Sequence, residues 1–176
     1  WIKMMKASMK MAMTEFSSDH MVREYSNRYY LPALMNLKRL VSDKASQARE
    51  LALTLSRLKA LWSKIRLTTP KIETSADFKV GDTFNLTLEV FLGELEPEEV
   101  EVQIYHGKLR GGGQMEGSRP ETMQLERMTE PGYYRYSSTL VCSDSGRFGY
   151  TARVIPSGDD VLRHTPGLVT WANDKK

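Results

Sequence analysis

The chain has 176 residues, 40% hydrophobic and 27% charged. That balance suits one medium domain or two small ones, and it excludes a collagenous or largely disordered chain. The net charge of +3 hides a division. Residues 1–69 hold 13 Lys or Arg against 5 Asp or Glu, and residues 70–176 hold 12 against 17. A basic half of net +8 thus precedes an acidic half of net −5. Such asymmetry points to contact with something acidic or with another part of a larger protein.

Three helices are expected in the basic half. The first covers about Trp1 to Met13, where Trp1, Met4, Met5, Met9 and Met13 fall mostly three or four apart and form an apolar stripe. Such a stripe packs a core; a promiscuous helix-binding surface is the sharper alternative. Ser17, Ser18 or Asp19 caps a second helix, about His20 to Val41. Pro32 lies inside it, so a kink is expected near Tyr30 and Leu31. Ser42 or Asp43 caps a third, running to about Arg66. Its stripe of Leu51, Leu55, Leu58, Trp62 and Ile65 is the clearest amphipathic pattern in the chain.

The segment Leu67-Thr68-Thr69-Pro70 then reads as a short hinge, and the period changes to two. Phe84 to Val90, Val100 to Tyr105, Tyr134 to Leu140 and Phe148 to Val154 alternate as half-buried strands. Shorter candidates lie at Ile72, Phe78, Met123 to Arg127 and Leu168 to Trp171. Turn signals such as Val80-Gly81-Asp82 and Pro131-Gly132 separate them. The fold class is therefore α+β: a helical segment over 1–69, then an immunoglobulin-like antiparallel β-sandwich over 70–176.

No catalytic residue, cofactor ligand or metal ligand set is read from the residues. The run from Gly107 to Gly113 lacks the ending of a phosphate-binding loop and reads as a hairpin loop. Gly146 and Gly149 read as serving turn geometry or close packing. His20, His106 and His164 have no metal-site spacing. Glu94, Glu96, Glu98, Glu99 and Glu101 read as a solvated charge run, since nothing fixes a pair across a cleft. The basic residues form no dense patch, so neither nucleic acid nor a membrane surface is expected as partner. No apolar run is long enough to span a membrane, and no leader follows Trp1, so no signal peptide is expected; a start at Trp1 rather than Met, within a helix, suggests a piece of a longer chain. The single Cys142 excludes an internal disulfide; it is expected as a small buried hydrophobe in a cytoplasmic protein. Among the sandwich aromatics, Tyr105, Tyr133 and Trp171 are candidates for stacking on sugars.

The run Trp1-Ile2-Lys3-Met4-Met5-Lys6-Ala7-Ser8-Met9, with Phe16-Ser17, Met21-Val22-Arg23-Glu24-Tyr25 and Tyr29-Tyr30-Leu31-Pro32-Ala33, resembles the end of the catalytic region in bacterial and archaeal alpha-glucan (glycogen or maltodextrin) phosphorylases. Phe78-Lys79-Val80-Gly81-Asp82 and the run from Gly146 to Pro156 resemble the β domain that follows it. The resemblance implies a non-catalytic tail of an enzyme that cleaves α-1,4-glucan with phosphate to glucose 1-phosphate. Pyridoxal phosphate would sit on a lysine upstream, and this stretch would hold no cofactor. His20 stands where the resemblance leads one to expect arginine, and Met11 to Glu15 lacks a proline often found there. The resemblance also implies that Arg23, Glu24 and Tyr25 lock the tail to the catalytic core. Without that core, exposed helices would favour a homo-oligomer. Two alternatives stay open: a carbohydrate-binding sandwich that anchors the enzyme on α-glucan, and a self-standing module that binds a protein partner.

Overall fold

The computed structural model describes residues 1–72, 79–111, 115–142 and 145–172. Phe78, Gly112, Gly113, Ser143 and Asp144 lie outside them. The chain divides into two compact units, Trp1–Leu53 and Thr54–Lys176.

The first unit is helical. Helix α1 spans Ile2–Glu15 and α2 spans Ser18–Tyr25. Ser17 caps α2, its side chain accepting from the His20 N–H at 3.1 Å. A π-helical turn, Ser26–Tyr30, leads into α3, Leu31–Leu61. The cause is Pro32. Its ring crowds the carbonyl four residues back, and the wider turn, closed by Leu31 N–H to the Ser26 carbonyl, relieves that contact. Ser42, Asp43, Lys44 and Ala45 leave helical geometry inside α3, the last three with φ between 48° and 59°. Left-handed backbone costs such residues about 1–2 kcal/mol each. Ser42 Oγ donates to the Arg39 carbonyl at 2.7 Å and Ser46 Oγ to Asp43 Oδ2 at 3.1 Å, which hold the bend. Helix α3 is thus one element broken at Ser42–Ala45, the place where the sequence put a cap between its second and third helices.

No residue of Trp1–Leu53 is buried. The methionine stripe of α1 is exposed, with Met4 at 64% and Met13 at 75%. It is not core within this chain, contrary to the packing role read from its spacing.

The second unit begins with the last turns of α3. Leu58, Trp62 and Ile65 are each at most 4% exposed. A single 3-10 turn, Trp62–Lys64, ends the helix, so Arg66 is strand and not helix as expected. Strands β1 (Arg66–Leu67) and β2 (Lys71–Ile72) both pair with β3 (Thr83–Phe91). The segment read as a hinge is fastened. Thr68 Oγ1 accepts from the Glu89 N–H at 2.9 Å, Thr68 N–H donates to the Glu89 carbonyl, and Pro70 is buried. The unit boundary at 53/54 and the change of period at Pro70 are therefore different places in the chain.

Two antiparallel sheets follow. One has the order β1-β3-β7-β6, with β7 at Tyr133–Val141 and β6 at Gln124–Glu130. The other has the order β5-β4-β8-β9: Met115–Thr122, Val100–Leu109, Phe148–Pro156 and Thr170–Trp171. The chain changes sheet after β3, β5 and β7. Alternation puts Leu86, Leu88, Val90, Tyr136 and Leu140 of the first sheet and Val102, Ile104, Ala152 and Val154 of the second in buried positions. At the crossing after β5, Met123 is 3% exposed and donates its N–H to the Val102 carbonyl.

Strand β4 runs further than its alternation suggested, taking Gly107 out of the expected loop. Register with β5 shifts between His106 and Lys108. A Cβ on Gly107 would come 2.8 Å from the Glu116 carbonyl oxygen, so glycine is required there. Gly149 likewise lies close to Leu109, in keeping with close packing. Cys142 is only partly exposed, not buried as expected; its backbone bonds both Gly81 and Asp82.

Replacing Leu58 by Ala should cost the β unit about 2–5 kcal/mol, measured by denaturant unfolding. A chain begun at Pro70 should fail to fold cooperatively, and one begun at Thr54 should fold. Tyr136 lies 4% exposed, and its hydroxyl has no hydrogen-bond partner among the described residues. Burial, with the Tyr134 and Glu98 charges, pushes its pKa up to about 12. Tyr136→Phe should therefore leave the midpoint unchanged or raise it, because no bond is lost.

Candidate functional site

Residues of opposite parity from the buried row lie on the other face of β5-β4-β8-β9. Register brings Gln103 opposite Arg153 and Arg153 opposite Trp171. Three adjacent strands thus place Tyr105, Arg153 and Trp171 together. The Tyr105 and Trp171 rings have centroids 5.3 Å apart and planes inclined at 51°. The Arg153 guanidinium lies 4.9 Å from the Tyr105 centroid and 5.5 Å from that of Trp171, within cation–π range of both. All three side chains are partly exposed.

A polar relay supports this cluster. Arg153 Nε donates to Gln103 Oε1 at 2.9 Å. Gln103 Nε2 donates to Glu101 Oε1 at 2.7 Å, and Thr122 Oγ1 donates to the same oxygen at 2.7 Å. Arg163 pairs with Glu101 Oε2 at 2.7 Å. Arg163 comes from the short helix α4, Asp160–Arg163, capped by Asp159. Gln103 is only 5% exposed, and both ends of its amide are satisfied. Burial pushes the Glu101 carboxyl up, but the Thr122 and Gln103 hydrogen bonds and the Arg163 and Arg153 charges together hold it below its ordinary value.

The other expected site residues are placed elsewhere. Tyr133 stands on the other sheet, its ring 4.7 Å from that of Phe91, and does not join Tyr105 and Trp171. Arg23 pairs with Asp19 at 2.6 Å, Glu24 with Arg28 at 2.7 Å, and the Tyr25 ring sits 5.6 Å from Tyr29. Arg23 and Tyr25 are exposed and Glu24 is partly so.

The acidic run is more than a solvated face. Lys64 pairs with Glu94 at 2.5 Å, and Arg57 pairs with Glu99 and donates to the Glu94 carbonyl at 3.1 Å. The Lys64 hydrogen bond and charge hold the Glu94 pKa below its ordinary value. His106 Nε2 lies 2.9 Å from Glu121 Oε1. Among the described residues, no group of three or more His, Cys, Asp or Glu is placed to hold a metal ion. No described helix is long and apolar enough to cross a membrane.

Sequence reasoning singled out Tyr105 and Trp171 but missed Arg153. Its signal was available: Arg153 alternates with Ala152 and Val154, so it leaves the buried face on the side of Tyr105.

The architecture is α+β, a helical segment followed by two antiparallel sheets. Residues 62–173 match the family model described as the glycogen phosphorylase C-terminal domain, and the chain belongs to that family. It is 29% identical over 174 residues to a glycogen phosphorylase of Mycobacterium tuberculosis, covering 98% of this chain and 20% of the relative. It is 30% identical over 178 residues to a maltodextrin phosphorylase of Thermococcus litoralis, covering 97% and 20%. The chain thus spans about a fifth of the length of the curated relatives it matches. A solved Pseudomonas fluorescens alkylpurine DNA glycosylase, AlkC, aligns with a TM-score of 0.35 and 11% identity over 60% of this chain and 31% of that one. A likeness that weak carries no argument.

Because the folded Glu101 pKa is lowered, its contribution to stability is present above the ordinary carboxylate value and lost as pH falls through the folded one. Glu101→Gln should flatten the acid limb of a stability-against-pH profile of the β unit, with the smallest difference from wild type at the lowest pH.

Proposed function

We propose that this chain is the non-catalytic C-terminal part of an α-glucan phosphorylase, the enzyme that cleaves α-1,4-glucan with inorganic phosphate to release glucose 1-phosphate. Residues 1–53 complete and cover the catalytic body, and the sheets form an accessory domain packed as an immunoglobulin-like sandwich. The observation that carries this reading is the unburied helical unit. Fifty-three residues without a buried side chain cannot offset their ordering entropy alone, so their apolar side requires a cover. The alignment with two phosphorylases over nearly the whole chain supports a phosphorylase body as that cover.

Arg23, Glu24 and Tyr25 stand on this unburied surface. Their local pairs orient them for docking on the body. In isolation the same face favours pairing between copies of the chain. The enzyme so assembled works in the cytoplasm.

Pyridoxal phosphate does not fit the residues of this stretch. A Schiff-base lysine requires an enclosed, desolvating pocket, and every described lysine is exposed. In this reading the cofactor belongs to the catalytic body.

The test is release of glucose 1-phosphate from maltoheptaose and phosphate. A chain extended upstream to the length of the relatives should turn over, and the 176-residue chain alone should not. Turnover by the short chain would overturn the non-catalytic role. No turnover by the long one, loaded with pyridoxal phosphate, would overturn the phosphorylase reading.

A further inference from the structure

We infer that the face of β4, β8 and β9 bearing Tyr105, Arg153 and Trp171 is a binding platform for α-1,4-linked glucan chains. This rests on the proposed function for the identity of the polysaccharide. The platform itself rests on four features of the molecule.

First, two aromatic rings from neighbouring strands lie side by side and partly exposed on a sheet face. Aromatic faces present an apolar body to the C–H faces of a pyranose ring at low entropy cost. Second, hydrogen-bonding groups accompany them. Arg153 uses Nε on Gln103, and its two Nη groups have no hydrogen-bond partner among the described residues. A guanidinium presents its donors in a fixed fork, which suits adjacent hydroxyls on one sugar ring. Third, the fork is held in advance. The buried Gln103 is itself fixed by Glu101, and Glu101 by Thr122 and Arg163. Little conformational freedom remains to be lost on binding. A relay through a 5% exposed glutamine is a large outlay for an arginine that only shields a sheet face.

Fourth, the geometry suits the linkage that the proposed function supplies. Coplanar aromatics suit the flat ribbon of a β-1,4-glucan. The 51° between Tyr105 and Trp171 instead follows a chain whose successive sugar rings turn, as α-1,4 linkage makes them. Tyr133 lies beside Phe91 on the other sheet, away from Arg153, and no part of the platform depends on it.

The experiment is a titration of maltoheptaose into the 176-residue chain, followed by the tryptophan indole N–H resonances. Trp62 is buried and Trp171 is on the platform. The expected result is a saturable shift of the Trp171 signal at millimolar ligand, with Trp62 unmoved. Trp171→Ala and Tyr105→Ala, each checked for an intact fold by thermal unfolding, should weaken binding of glycogen in affinity electrophoresis by about tenfold or more, the loss of about 1.4 kcal/mol. Arg153→Lys, which keeps the charge and loses the fork, should also weaken it. Tyr133→Ala should not. Absence of any shift in the wild-type chain would overturn the inference, as would unchanged glycogen retardation in the folded Trp171 and Tyr105 variants. Equal binding of cellohexaose would overturn the linkage assignment. These readouts are of binding and not of phosphorolysis, so this inference and the proposed function can fail separately.

Discussion

A helix must cover its apolar stripe, and among α1, α2 and α3 only the last turns of α3 do so. Leu58, Trp62 and Ile65 are buried with the sheets, and no residue before Thr54 is buried at all. Everything else follows from that difference. The β unit takes its N-terminal limit from the helix and not from the first strand. Short strands β1 and β2 are held on one edge of β3 just after the buried helix end, fastened by Thr68 and Pro70. Upstream, the stripe continues through methionines and tyrosines that are exposed in this chain.

Charge follows the same joint. The division into a basic first half and an acidic second half is met inside the β unit, where Arg57 and Lys64 on the helix end reach Glu99 and Glu94 in the loop after β3. Exposed pairs of this kind contribute little each, about 0–1 kcal/mol. Their value lies in fixing which loop lies against the helix. The more enclosed network runs elsewhere, from Arg153 through Gln103 to Glu101 and Arg163, and it stiffens the face that carries Tyr105 and Trp171.

Much of this was legible in the residues, for identifiable reasons. Strands β3, β4, β7 and β8 alternate in sequence because each turns one apolar row to the core, and that pattern is local. Strand β5 was not legible. Met115–Thr122 holds Gly117 and Pro120 and buries nothing, so only pairing with β4 makes it a strand. The bend at Ser42–Ala45 was read as a cap between separate helices, since a polar break looks the same in either case. The methionine spacing of α1 announced an apolar face correctly but could not say whether this chain supplies the other side. In the same way, alternation gave the sheet face of Tyr105, but the meeting of Tyr105 with Trp171 and Arg153 depends on strand order, which no local pattern contains.

The central claim is that residues 1–53 are the cover of something else while Thr54 onward stands alone. Native-state amide hydrogen exchange reads this directly. In the 176-residue chain, at a concentration where it is monomeric, amides of β3, β4, β7 and β8 should exchange at the rate set by global unfolding. Amides of Ile2–Leu53 should exchange orders of magnitude faster, and should become slow in a chain extended to phosphorylase length. Protection of Ile2–Leu53 equal to that of the strands in the monomeric short chain would contradict the account.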